Sequence, residues 1–219
     1  MPVDHPSVAW NGSTLLVTWT EEYLFPRADP PLIIAVAIHA ARVTAGLSLL
    51  DPAPLSIAGS STSPDEETSN SFGPPSVASN GTDWLVVSSR DYEDVIARRV
   101  LQSGTVEGNA PEKIGTGIDP AAAWDGMRYA VAWKEGNYQQ IARPLALNAI
   151  PPSGALKVAS RTLVSPGTAP SAPSIAPAGN GAVAVVYTKV SYLPEHAGVE
   201  RSFFRVMDFN SQRGRVVRR

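Results

Sequence analysis

Four degenerate copies of one short motif set the terms for what this chain can become. The first runs Pro6-Ser7-Val8-Ala9-Trp10-Asn11-Gly12 and leads into Leu15-Leu16-Val17-Thr18-Trp19. The second is Pro75-Ser76-Val77-Ala78-Ser79-Asn80-Gly81 with Trp84-Leu85-Val86-Val87-Ser88. The third, Pro120-Ala121-Ala122-Ala123-Trp124-Asp125-Gly126 with Tyr129-Ala130-Val131-Ala132-Trp133, keeps the same spacing. A fourth copy runs from Pro173-Ser174-Ile175-Ala176 to Val183-Ala184-Val185-Val186-Tyr187, with one extra residue in its Gly179-Asn180-Gly181 turn. Anchor prolines therefore fall 69, 45 and 53 residues apart. Asn-Gly or Asp-Gly between two apolar runs signals a hairpin, since both residues tolerate the positive φ of tight turns. Each copy is expected to open with a β-hairpin.

Beyond each hairpin come a third apolar run, a turn glycine and a shorter fourth run. In the first repeat these are Leu32 to Val43, Gly46 and Leu55 to Ala58; in the second, Val95 to Leu101, Gly104 and Glu112 to Ile114. The third has Ile141 to Leu147, Gly154 and Arg161 to Val164. The fourth has Phe203 to Met207 and Gly214, and its last strand would fall beyond Arg219. Thr20 to Pro31, with Tyr23, Phe25 and three prolines, reads as loop rather than strand; residues 60–73, rich in Ser, Thr and acids, read as an exposed loop. The repeats occupy approximately 6–59, 74–117, 118–165 and 172–219 of a single domain.

The second strands are apolar on both faces. Val17, Val86, Val131 and Val185 fall on one face, and Leu16, Leu85, Ala130 and Ala184 on the other. A sheet with one solvated face would be polar at one of these sets, whereas the blades of a propeller are covered by neighbours on both sides. The expected fold is all-β and β-propeller-like, four four-stranded repeats with the last incomplete and helix nearly absent, part of a larger or open propeller. With 219 residues, 43% of them hydrophobic, a core forms without disulfides, and the chain has no cysteine.

The pattern Pro-x-Val-Ala-(Trp)-Asn/Asp-Gly, then Val-Val-Trp, Ile-x-x-Arg-Val and a turn glycine, resembles the repeat of β-propeller proteins of bacterial surfaces and secretions. The resemblance implies a propeller and a secreted or cell-surface parent protein, and no activity, because propellers host enzymes, lectins and scaffolds alike. Ser79, Ser88 and Pro177 depart from it. The edge of the last repeat is expected to recruit another chain, including by self-association.

A net charge of −2 excludes a wholesale electrostatic grip on nucleic acid, and the arginine-rich 201–219 lacks interleaved aromatics. No run approaches the roughly 18 apolar residues of a membrane span, and Met1 to His5 lack the regions of a signal peptide. His5, His39 and His196 fall at non-equivalent places without an i, i+4 partner or a nearby pair of carboxylates, and Asp65-Glu66-Glu67 lacks the ligand spacing of a calcium loop. No metal or other cofactor is expected. Arg42, Arg98, Arg99, Arg143 and Arg205 recur near the third strands, placed to pair with the backbone or acids of a neighbouring blade. Trp10, Trp19, Trp124 and Trp133 read as plugs between blades.

The segment after each second strand holds a tyrosine, Tyr23, Tyr92, Tyr138 and Tyr192, accompanied by acids such as Glu21, Asp91 and Glu135. In a propeller these segments emerge on one face. Flat aromatic bodies beside carboxylates suit a sugar ring or a peptide. The expected function is a non-catalytic binding module for a glycan or protein ligand on that face, with a structural repeat of a larger surface protein as the alternative. A hydrolase or lyase would need a convergent pair of carboxylates, and none is evident from spacing.

Overall fold

A computed structural model describes residues 3–25, 32–59, 71–136, 144–156, 161–164, 171–191 and 198–209. Every regular element among them is a β-strand, and no helix is long and apolar enough to cross a membrane. Blade one is an antiparallel meander of β1 (Val3–Trp10), β2 (Thr14–Phe25), β3 (Leu32–Thr44) and β4 (Leu55–Gly59). Blade two contains β5 (Ser76–Ser79), β6 (Trp84–Arg90) and β7 (Asp94–Val100), closed by the first part of β8 (Glu112–Trp124). The rest of β8 pairs with β9 (Tyr129–Glu135) and opens blade three, which continues through β10 (Leu145–Ile150) and β11 (Arg161–Val164). Blade four has β12 (Ser174–Gly179), β13 (Ala182–Ser191) and β14 (Val199–Asp208).

Three local expectations need correction. β8 runs unbroken from the outer edge of blade two to the inner edge of blade three, so the two blades form one seven-stranded sheet rather than two. Thr20 to Phe25 is strand, not loop, because β2 pairs with β3 as far as Phe25 opposite Leu32. The third strand of blade three is Leu145–Ile150 rather than Ile141 to Leu147, and Ile141 to Arg143 lie outside the described residues. Residues 60–70 and 210–219 also lie outside them.

Apolar residues on both blade faces produce three successive cores. Leu16, Ile38 and Ile57 of blade one meet Val77, Trp84, Val86 and Ile96 of blade two. The opposite face of blade two, with Leu85, Val87 and Val95, meets Tyr129, Val131 and Trp133. Ala130, Leu145 and Leu147 on the far side of blade three meet Val183, Val185 and Tyr187. A one-residue step along β6 or β9 thus moves from one core to the next.

Polar clamps fix the blades to one another. Arg42 forms an ion pair with buried Asp51 and donates to Gln102 O of blade two at 2.7 Å. Arg98 reaches back to Ile57 O at 2.8 Å, and buried Arg99 reaches forward to Pro151 O and Gly154 O at 2.6 Å each. Arg205 donates to Leu163 O. Gly104 stands at φ 91°, and a Cβ there would lie 2.6 Å from the Arg42 guanidinium carbon. Burial pushes the Asp51 carboxyl up, but the hydrogen bonds and charge of Arg42 outweigh it and hold the group below the usual carboxylate range. Asp94, held by Lys113 and Arg90, is lowered in the same way. A folded-state value below the unfolded one stabilises the fold above the unfolded value, about pH 4, and that contribution disappears as pH falls through the folded value. Urea midpoints should therefore hold steady from neutral pH to about pH 5 and fall below about pH 4.

Three of the hairpin turns use Asn and Asp differently from the expectation, whereas Asn180 in the fourth takes the expected positive φ, 54°. In the first three turns only the glycines take positive φ, 99° at Gly12, 92° at Gly81 and 101° at Gly126. The preceding side chain instead accepts two backbone N–H groups: Asn11 Oδ1 from Ser13 and Thr14, Asn80 Oδ1 from Thr82 and Asp83, Asp125 Oδ1 from Met127 and Arg128. Asn11 also donates to Thr82 O of the next blade at 2.6 Å. Asn11→Ala leaves these groups without that partner and should cost about 1 to 3 kcal/mol by chemical denaturation.

Candidate active site

The inner strands β1, β5 and β8 lie side by side and run the same way. Near their starts Ser7 Oγ accepts Val77 N–H at 3.2 Å, and Ser76 Oγ accepts Ala122 N–H at 3.1 Å. Near their ends Trp84 Nε1 donates to Ala9 O and the Tyr129 hydroxyl to Asp83 O, each at 3.1 Å. Residues just ahead of Pro6, Pro75 and Pro120 therefore share one end of the arc.

Blades one and three depart from regular pairing at this end in the same way. The register shifts between Asp4 and Ser7 and again between Ile118 and Ala121. At these bulges His5 and Asp119, each followed by proline, take φ of 52° and 55°. A left-handed conformation at a non-glycine residue costs of the order of 1 to 2 kcal/mol, and such outliers concentrate at functional sites. Blade two has Pro74-Pro75 at the corresponding place, preceded by Gly73, on which a Cβ would overlap the Ser89 side chain.

The bulge in blade one gathers chemistry. His5 Nδ1 lies 3.7 Å from Asp4 Oδ2 and 3.9 Å from Glu22 Oε1. One donor atom from each of these residues falls within 4.8 Å of the others, a set able to hold a divalent cation. Beside it, His39 Nε2 is 2.8 Å from Glu21 Oε2, with Trp19 tilted against the imidazole at 6.0 Å between ring centroids. The expectation that the histidines lack nearby carboxylates is corrected for His5 and His39, where cross-strand register, invisible in linear spacing, supplies Glu22 and Glu21, and His196 lies outside the described residues. In blade three Asp119 forms an ion pair with Lys134.

The residues expected to bind ligand are placed as follows. Glu21 is engaged by His39. Tyr23 lies on β2 opposite Ile34, and Glu135 ends β9 opposite Gly117. Asp91 and Tyr92 occupy the β6–β7 turn at φ 55° and 56°, closed by Glu93 N–H donating to Arg90 O. Asp91 Oδ1 accepts Ser71 N–H at 2.9 Å, and Tyr92 is 56% exposed. Tyr138 and Tyr192 lie outside the described residues. Sequence reasoning misses Asp4, Asp119 and Lys134 and discounts His5. The available signal was the position before the anchor proline, which holds His5 and Asp119 in two copies but Pro74 and Ala172 in the others.

No protein-family model matches the chain, and no curated protein matches its sequence. Its fold matches solved structures of five-bladed β-propeller enzymes. Over 97% of its length the chain superposes on GH43B of the Bacteroides ovatus xyloglucan PUL, with TM-score 0.52 and 12% identity, and it spans 40% of that protein. Over the same share it matches the α-L-arabinanase of Cellvibrio cellulosa complexed with arabinohexaose, with TM-score 0.50 and 10% identity, spanning 76% of that chain. The likeness establishes an all-β propeller with open sheets. The expectation of a non-catalytic binding module, and of a protein that is not an enzyme, is corrected by the same finding, since the solved structures it superposes on are glycoside hydrolases.

Proposed function

We propose that this protein is a propeller-type glycoside hydrolase whose active centre lies where the inner strands begin. The observation carrying this reading is the pair of matching bulges at His5-Pro6 and Asp119-Pro120. They set Asp4 and Glu22 on one side and Asp119 on the other, with Gly73 of blade two between them. Glycoside hydrolysis needs two carboxyl groups, one to protonate the departing glycosidic oxygen and one to take a proton from the attacking water or to attack carbon itself. Asp119, ion-paired with Lys134, serves as one of these carboxyl groups, and Glu22, beside His5, as the other. The neighbouring enzymes direct attention to arabinans and xyloglucan as substrates.

Tyr92 serves this reading as a stacking platform on the rim. Its turn position favours Asn or Gly, which occupy left-handed conformations at least cost. Tyr92→Asn should therefore keep or raise the melting temperature while raising KM by up to about tenfold, the equivalent of about 1.4 kcal/mol and the scale of an aromatic contact. The direct test incubates the folded chain with arabinan and with xyloglucan and measures reducing ends. Release above the uncatalysed rate is expected from at least one; no release from either by a folded chain counts against the reading.

A further inference from the structure

Three of the four hairpins carry the same Asn-Gly step, and the fold treats one of them unlike the other two. The step is intrinsically reactive: without a Cβ in the way, the glycine amide nitrogen can come close to the asparagine side-chain carbon. Asn11 and Asn80 are held away from this reaction. Asn11 is buried, its Oδ1 accepts the Ser13 and Thr14 N–H groups at 3.0 and 2.7 Å, and its Nδ2 donates to Thr82 O at 2.6 Å. Asn80 Oδ1 accepts the Thr82 and Asp83 N–H groups at 2.8 and 2.7 Å, and the Gly81 N–H beside it donates to Ser79 Oγ at 3.1 Å. Both loops span four residues, between the pairs Trp10↔Leu15 and Ser79↔Trp84. Blade four closes instead on a two-residue turn between Gly179 and Ala182. Both of its residues take positive φ, 54° at Asn180 and 75° at Gly181, as in a type I′ turn. Asn180 is exposed, and among the described residues neither its side-chain amide nor the Gly181 N–H makes a hydrogen bond.

We propose that Asn180 is a site of spontaneous covalent modification in the folded protein, passing through a cyclic imide to aspartate and isoaspartate while Asn11 and Asn80 persist. The Gly181 nitrogen, on losing its proton, forms a bond to Asn180 Cγ. The Cγ–Nδ2 bond breaks, and the side-chain nitrogen leaves as ammonia. Water then opens the five-membered ring at either carbonyl carbon: attack at Cγ gives aspartate, and attack at the main-chain carbon gives isoaspartate. The net change takes up one water and releases one ammonia, with no oxidant or reductant. At neutral pH the new carboxylate adds one negative charge to a chain carrying −2. Aspartate keeps the backbone length of the turn, whereas isoaspartate inserts one further main-chain carbon between Gly179 and Ala182. For Asn11 and Asn80 the ring can close only after the hydrogen bonds that hold the side chain have broken, which lowers the reactive population at least about tenfold.

The test incubates the folded chain in mildly alkaline buffer, digests samples with trypsin and follows the gain of one mass unit by mass spectrometry. Asn180 carries the only side-chain amide of peptide 162–189, and Asn11 the only one of peptide 1–27; fragment ions locate Asn80 within peptide 43–90. In the folded chain Asn180 should convert at least about tenfold faster than Asn11 and Asn80. In guanidinium chloride the three rates should agree within about twofold, because the shared Asn-Gly step then sets them without the turns. The proposal is overturned if Asn180 in the folded chain converts no faster than Asn11 and Asn80. It is equally overturned if the lead of Asn180 persists in guanidinium chloride, which would assign the difference to neighbouring residues in sequence rather than to the fold.

Discussion

Trp133→Ala should remove about 3 to 5 kcal/mol of unfolding free energy, the cost of truncating a large buried aromatic. The indole is fully buried in the core between blades two and three, and its Nε1 donates to Thr116 O at 3.2 Å. It lies over the part of β8 that passes between those blades, where Gly115 and Gly117 leave it room. A Cβ on Gly115 would come within 2.6 Å of the ring, and one on Gly117 would overlap it. The tryptophan and glycines thus form one unit, and the cavity left by alanine would sit at the join of two blades. Equilibrium urea unfolding followed by far-UV circular dichroism measures the loss. Gly115→Ala should also destabilise, by about 1 to 3 kcal/mol, through overpacking against the same ring. A Trp133→Ala loss under about 1 kcal/mol would mean that the indole does not hold this join. Trp10, expected to plug blades in the same way, is half exposed, and Trp19 and Trp124 are only partly buried. No blade precedes Trp10 and Trp19 among the described residues, whereas Trp124 ends β8 beside its hairpin turn and packs edge-on against Tyr129.

The second large effect concerns activity. Asp119→Asn keeps the shape of the side chain but removes the charge that pairs with Lys134, and it should lower kcat by about 10²- to 10⁴-fold, the usual contribution of a general acid or base. The melting temperature should change little, because the carboxylate is partly exposed and surface ion pairs contribute about 0 to 1 kcal/mol. Loss of turnover with unchanged stability separates a catalytic role from a structural one. If Asp119→Asn retains full turnover, the active centre lies elsewhere on the blades. Glu22→Gln in the same assay tests the opposite side of the site.

The repeat architecture was legible from short-range features. Asn-Gly and Asp-Gly turns, anchor prolines and strands apolar on both faces are local properties, and each limits the backbone or the buried surface within a few residues. They predict the hairpins and the three interblade cores that the structure contains. The tyrosine pattern, also local, marks the chain end of each second strand, but neighbours in space decide what the side chains do: Glu21 meets His39 across the strand pair, and Asp91 ties down Ser71. Asp4 and Asp119 are 115 residues apart in sequence, and only parallel inner strands with matching bulges bring their blades' ends to the same side. Cross-strand register likewise joins His5 to Glu22. Linear spacing cannot show these relations, because a single-residue bulge changes which side chains share a face without changing the apolar pattern that defines the blade.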